Sequence, residues 1–479
     1  MNRISALEPK NLLFVLSDEH NRKIAGAYGH PFVKTPNIDR LADSGTKFTA
    51  AYTNSPICVP ARASLATGRH VHEIGFWDNA SPYDGSVPSW HHALRDSGVD
   101  VVSVGKLHFR GGDDYGFTEE LLPLHVLEGK GDLKGLLRRE RQTNENTSGL
   151  AENVGMGPST YFDYDTRILE CAQRWLEKRS QAANDRRFAL FVSFVMPHFP
   201  LRVPQPYYDL YRDIPLGKLR TGLDASPPDH PTLNRMRQFF NYDDHFDDRK
   251  RAEALRAYFG MVTRVDEMLG ELLGTLQRCG LSEVTRVIYA SDHGDNLGNR
   301  GMWGKSVMYE DSVAVPLVMA GLGIPQGRVV DTPVSLIDIA PTVAQATGAA
   351  SDENWSGRSL IEIANTEASD RVVLSEYHAA GSDTGQFMIR QGQWKYISFV
   401  GAPAQLFNLS HDPDEITDLA NDPTCASVVE RMQSALRKFC DPEEVSERAF
   451  RDQRARIEKA GGEDAILHSA DIPFTPAPS

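Results

Sequence analysis

A chain of 479 residues is longer than one ordinary hydrophobic core serves, which favours two domains or one large α/β domain with an appendage. Apolar residues at 41% and charged residues at 24% exclude wholesale disorder. The formal net charge of −14 excludes the basic footprint that nucleic acid or an anionic membrane surface requires, while leaving room for a small anion in a local cationic pocket.

Taken in chain order, the apolar run Leu12–Leu16 is too short for a signal h-region and flows into acidic residues, so it reads as the first buried strand. A helical pattern follows around Asn37–Ser44. Then Trp90–Arg95 precedes the apolar run Val99–Val104, Arg167–Lys178 precedes Phe188–Val195, and Ala254–Gln277 precedes Val287–Ala290. Short apolar runs alternating with longer helices predict a mixed, mostly parallel sheet sandwiched by helices over residues 1–365. From Val372 the pattern changes: Phe387–Arg390 and Trp394–Val400 flank Gln391-Gly392-Gln393, a hairpin signal. A smaller α+β subdomain is therefore expected over 366–440, with a packing helix at 423–440 that carries Val428, Val429, Met432 and Leu436 on one stripe. The charged, then Pro-rich, stretch 441–479 reads as an arm, with the hypothesis that it reaches a neighbouring subunit. Residues 111–157 are polar with weak periodicity, either a substrate-facing excursion or a mobile loop.

The five cysteines, Cys58, Cys171, Cys279, Cys425 and Cys440, are odd in number and contain no C-x-x-C pair. That suits a reducing compartment. No run reaches the ~18 apolar residues of a membrane span, so the cytoplasm is the expected location, with no membrane partner.

In open α/β sheets ligands sit outside the carboxyl ends of the strands. Here those ends carry Asp18-Glu19-His20, Pro197-His198 and Asp292-His293-Gly294-Asp295. A single Asp after a strand is often a cap or turn residue, but three polar strand ends converging on one crevice suit a divalent cation. The sharpest local pattern is Ser55 to Gly68. Pro60 fits a first helical turn and Gly68 a C′ position, so Cys58 falls at a helix N-terminus, where backbone N–H groups favour an anion. Arg62, one turn later, reaches the same spot.

Cys58 to Arg69, C-x-P-x-R-A-S-L-x-T-G-R, resembles the signature of the formylglycine sulfatases in the alkaline-phosphatase superfamily. The resemblance extends through Leu12–Asp18, Thr35–Ala42, Gly105-Lys106-Leu107-His108, Met196–Pro200, Ser291–Gly298, Trp303-Gly304-Lys305 and Leu406–Ala420. It implies that a separate maturation enzyme oxidises Cys58 to formylglycine, whose hydrated form attacks sulfur through one oxygen and uses the second to expel sulfate. It further implies a metal site of Asp18, Glu19, Asp292, His293 and the residue-58 oxygen, with calcium first and magnesium or manganese behind it. Arg62 would hold the diol, Lys106 and Lys305 would grip sulfate oxygens, His108 would orient the diol, and His198 would serve the leaving oxygen. Lys106 and His108, two apart, point the same way if the segment is extended. Glu19 departs from the family's usual Asp, Gln or Asn; the longer carboxylate either ligates the ion or turns away.

Gly75–Ala80, Gly105–Phe109 and Glu152–Pro158 resemble the bacterial choline-sulfatase branch, which makes Asn79 and Asn153 the substrate-binding candidates. The expected activity is hydrolysis of a small organic sulfate monoester, whether choline, alkyl or aryl, by a homo-oligomer. A phosphonate monoester or phosphodiester hydrolase with the same nucleophile is the alternative, disfavoured by the Gly-Lys-x-His element at 105–108. A sulfatase-fold binding protein without turnover, motivated by Glu19, is the third.

Overall fold

The computed structural model describes residues 8, 10–141, 143–182, 186–366, 370–469 and 475–478. Parts of the expected segments, at 1–7, 367–369 and 470–474, lie outside them. An eight-stranded sheet forms the centre. Its strands are β1 (Asn11–Ser17), β2 (Gly45–Phe48), β3 (Asp100–Lys106), β4 (Glu119–Leu124), β5 (Phe188–Ser193), β6 (Thr285–Ser291), β7 (Leu317–Ala320) and β8 (Arg328–Val330). They lie in the order β8-β2-β7-β6-β1-β5-β3-β4. Only β7 runs antiparallel, against both β6 and β2. In register, Leu13 of β1 lies beside Leu190 on one side and Val287 on the other.

A strand sends alternate side chains to opposite faces, and in β1 both faces are dry. Leu13 and Val15 enter one core with helices α1 (Pro36–Asp43), α4 (Thr160–Gln181), α5 (Pro231–Phe240) and α6 (Asp248–Arg278). Leu12, Phe14 and Leu16 enter the other with α2 (Cys58–Thr67), α3 (Trp90–Asp96) and α7 (Ile339–Thr347). The near-continuous apolar runs of the sequence follow from this, since a strand covered on both faces has no polar side to show. At about 1.5–3 kcal/mol for each fully buried large apolar side chain, the two cores fix the sheet and hence the loops at its carboxyl edge.

The second sheet is antiparallel: β9 (Val372–Tyr377), β10 (Gln386–Gln391), β11 (Trp394–Phe399) and β12 (Ala402–Asn408). The expected hairpin is its central pair. Helix α8 (Ala426–Arg437) covers it through Met432 and Leu436. The stretch after Asp441, expected as an arm, is corrected by α9 (Pro442–Lys459), capped by Asp441 accepting the N–H groups of Glu443 and Glu444. Its buried positions Val445, Ala449, Gln453 and Ile457 recur every four residues, a helical stripe that the abundant charges between them conceal. Ile457 packs with Leu136 and Leu137 of the polar excursion. Among the described residues no helix is long and apolar enough to cross a membrane.

Candidate active site

The carboxyl ends of β1, β3, β5 and β6 meet over the start of α2. Ile57 is extended (φ −162, ψ 142) and Gly68 closes the helix in the left-handed region (φ 66), its N–H donating to Ser64. Cys58 therefore opens the helix, as its sequence indicates. The amide of Val59 would be one of the unpaired donors of a helix start; it donates to Asn79 Oδ1 at 3.1 Å. Cys58, Asn79, Lys106, His108, His198, Lys305 and Glu19 all border one cavity of about 190 Å³.

Beneath Cys58 lies a buried ionic lattice. Arg62 reaches Asp292 Oδ2 through Nε at 2.8 Å and Asp18 Oδ2 through Nη2 at 2.9 Å. Its Nη1 donates to the Lys106 carbonyl at 2.7 Å and to Ser193 Oγ at 3.0 Å. Lys106 Nζ lies 2.6 Å from Asp18 Oδ2. Burial pushes the Asp18 carboxyl up, but the cations of Lys106 and Arg62 outweigh it and hold it well below the usual carboxylate range. Asp18 is thus an anion at any working pH.

His293 places Nδ1 3.1 Å from the Gly294 carbonyl, so Nδ1 carries the proton and Nε2 presents a lone pair, 3.2 Å from Cys58 Sγ. Asp18, Cys58, Asp292 and His293 bring ligand atoms within 4.8 Å of one another. Two carboxylates, an imidazole nitrogen and the residue-58 side chain, all buried, fit a divalent cation. Glu19 falls in a different grouping, with Asp18 and His198. Its Oε2 is 2.9 Å from Lys305 Nζ and 3.5 Å from His198 Nε2. Burial pushes the Glu19 carboxyl up to about 8 against the pull of Lys305, with Asp295 adding to the rise.

His198 donates from Nδ1 to the Phe199 carbonyl at 2.6 Å, leaving Nε2 towards the cavity. Burial, then Lys305 and Lys106, lowers its pKa well below the ordinary histidine value, so it is neutral. Burial also pushes the Cys58 thiol up to about 12, with Asp18 adding to the effect; a thiolate nucleophile is unfavourable here.

Lys106 and His108 do line the same cavity, but strand alternation is not the reason. His108 stands in the left-handed region at φ 61, as do Glu19 at 70 and Ser306 at 88. Non-glycine residues there carry strain of order 1–3 kcal/mol each, and these three cluster at the site. Asn153 is not brought in: it ends a short helix, and its amide donates to Gly149 O at 2.7 Å on an exposed face.

Several lining residues escaped the sequence. Tyr161 donates to the Thr475 carbonyl, while Thr475 Oγ1 lies 3.0 Å from His108 Nε2. The tail expected to reach a neighbour therefore places Thr475 in this chain's own cavity. Arg141, Asn144, Phe239, Phe240 and Tyr242 also line the wall. The polar composition of 111–157 was a signal for Arg141 and Asn144 alone, and several residues of that stretch line the cavity; Phe239, Phe240 and Tyr242 lie outside it and carried none.

Residues 10–349 match the Sulfatase family, and residues 298–441 match the family described as N-sulphoglucosamine sulphohydrolase, C-terminal. The choline-sulfatase of Rhizobium meliloti (strain 1021) is 33% identical over 426 residues, 86% of this chain and 83% of that protein. Arylsulfatase K of Danio rerio is 30% identical over 467 residues, 92% and 86% of the two chains. The crystal structure of the phosphonate monoester hydrolase of Agrobacterium radiobacter superposes with a TM-score of 0.71 at 25% identity, covering 90% of this chain and 95% of that one. With a family match across most of the chain and the buried Cys58–Arg62–Asp18–Asp292–His293 lattice at the sheet's carboxyl edge, the chain belongs to the sulfatase family of the alkaline phosphatase superfamily and is a sulfatase enzyme.

Proposed function

We propose that the chain hydrolyses the sulfate monoester of a small alcohol, with the side chain at position 58 as nucleophile. One observation carries this reading: Cys58 opens a helix on the floor of a cavity, between a carboxylate–imidazole cluster and the amines of Lys106 and Lys305. A thiol pushed up to about 12 makes a poor nucleophile, which supports an oxygen there instead. Oxidation of Cys58 to formylglycine by a maturation enzyme would supply a hydrated aldehyde with one hydroxyl to attack and one to release the adduct.

Asp18, Asp292 and His293, together with residue 58, would hold the divalent ion, which we assign as calcium ahead of magnesium or manganese; when bound it supplies Lewis acidity. Everything else is done by the chain's own side chains. Arg62, clamped by two carboxylates, keeps its guanidinium fixed beside residue 58. Lys106 and Lys305 take sulfate oxygens, where fixed cations stabilise charge as it shifts to the leaving oxygen. An entering sulfate offsets the lysines that, after burial, lower the His198 pKa, so Nε2 can take up a proton from water and deliver it to that oxygen. His108 faces the same space and orients the attacking group. Asn79, by accepting the Val59 amide, holds the helix start in place.

Choline, alkyl and aryl sulfates are the substrate classes, in a cytoplasmic homo-oligomer; the five free cysteines agree with a reducing compartment. The A. radiobacter neighbour supports a second reading, a phosphonate monoester or phosphodiester hydrolase. Peptide mass across Cys58, with turnover of 4-nitrophenyl sulfate and bis(4-nitrophenyl) phosphate, separates the readings. A mass about 18 units below the cysteine form with the sulfate preferred supports the sulfatase reading. Preference for the phosphate diester moves the assignment to the second. An unmodified thiol from a host that matures such enzymes, with neither ester cleaved, sinks both.

A further inference from the structure

Three cations border the cavity, and they are not equivalent. Lys106 is paired with Asp18 and Lys305 with Glu19. Arg141 has no carboxylate within 4.0 Å among the described residues; its side chain makes one long contact, 3.5 Å, with Asn144 Oδ1. Its neighbours in the run Arg138-Arg139-Glu140-Arg141 are anchored. Arg138 donates to the carbonyls of Ser382 and Thr384 and to Gln453, and both Arg138 and Arg139 lie over the Phe450 ring, at 4.1 and 3.9 Å. Arg141 alone of these turns to the cavity, where its guanidinium sits 5.8 Å from the Phe239 ring.

The acidic groups of the wall do not offset it. Glu19 is engaged by Lys305, and Asp132 Oδ1 accepts the Gly135 amide at 2.9 Å as the cap of its own turn. Beside Arg141 the wall is aromatic: Phe239 and Phe240 meet edge to face at 5.1 Å, and Phe240 stacks on Tyr242 at 5.7 Å with 11° between planes. A guanidinium with most of its five donors free among the described residues, next to a flat apolar shelf, matches an alcohol with a planar or ring-shaped body and a carboxylate or second sulfate at its end. A quaternary ammonium placed there would meet a like charge.

We propose that Arg141 is a specificity-determining residue that selects sulfate esters whose leaving alcohol bears a second anionic group. The proposal rests on the sulfatase reading of the same cavity. It is tested with three esters, 4-carboxyphenyl sulfate, the neutral 4-carbamoylphenyl sulfate of nearly equal shape, and choline sulfate, on the matured enzyme and on Arg141→Gln. For the unaltered enzyme, kcat/KM is expected to favour the carboxylate over the amide by about tenfold or more, the scale of one charge-assisted pair. In Arg141→Gln that preference falls to near unity through a rise in KM for the carboxylate, while turnover of the amide stays within about threefold. Sulfate release from the amide with no carboxylate preference, a preference that survives in Arg141→Gln, or choline sulfate as the best of the three overturns the proposal and leaves the sulfatase reading standing. Release from none of the three overturns both.

Discussion

Arg62 and Lys395 are both cations buried among carboxylates, yet their surroundings differ in kind. Lys395 projects from β11 of the small sheet into the large domain, with Nζ 3.0 Å from Glu310 Oε1 and 2.7 Å from Glu415 Oε1; Arg22 holds Glu310 Oε2 at 2.9 Å. That seam is sealed by packed protein, and its charges face one another. Arg62 also bridges two carboxylates, but its lattice is open on one side, where Cys58, Lys106 and Lys305 meet the cavity and His293 Nε2 presents a lone pair. Left-handed Glu19, His108 and Ser306 add strain on that side. A closed ion cluster fixes the position of a domain, whereas an open one holds charge in readiness for a ligand.

The largest expected effect breaks the open cluster. Cys58→Ala should lower turnover of 4-nitrophenyl sulfate by on the order of 10⁴-fold or more, while the urea midpoint moves by the equivalent of only about 1 kcal/mol. A loss of stability as large as the loss of activity would mean that Cys58 is chiefly a packing residue.

Lys395→Met breaks the closed cluster instead. It leaves Glu310 and Glu415 buried without their shared cation, so a loss of about 3–5 kcal/mol is expected in denaturant unfolding, with kcat of the folded protein within about twofold. Equal destabilisation of kcat would mean that the seam also shapes the site.

The smallest effect sharpens the comparison through pH. Burial pushes the Glu310 carboxyl up, yet Lys395 and Arg22 hold it down at about 2, against 4.5 for an ordinary glutamate. Below both values the carboxyl is protonated in either state and contributes nothing. Its stabilisation is therefore complete above pH 4.5 and is lost as pH falls towards 2. Glu310→Gln should flatten that acid limb in thermal melts between pH 6 and about 3 by a few kcal/mol at most. An unchanged acid limb would show that the seam is not where the pH dependence resides.

How much of this was legible beforehand follows from the range over which each pattern acts. The strand at Leu12–Leu16, helix α2 behind Cys58 and the hairpin around Gly392 are written in neighbouring residues, because burial on both faces, helix capping and turn chemistry operate over two to four positions. Asp18, Asp292 and His293 were legible because they stand directly after buried strands, where the sheet's carboxyl edge must lie. Helix α9 was misread because its stripe at 445, 449, 453 and 457 is embedded among charges, and two of its four members, Ala449 and Gln453, are not strongly apolar.

By itself, then, the sequence determined the α/β layering, the helix that presents residue 58 and the strand-end donors around it, all through local periodicity. Only the tertiary structure decided which partner each charge takes. Glu19 turns to Lys305, 286 residues away; Thr475 meets His108 across 367; and Arg141 is left beside Phe239 with no carboxylate among the described residues. Such choices depend on where separate loops arrive in space, and no spacing along the chain encodes that arrival, because the packing of two cores and two sheets fixes it.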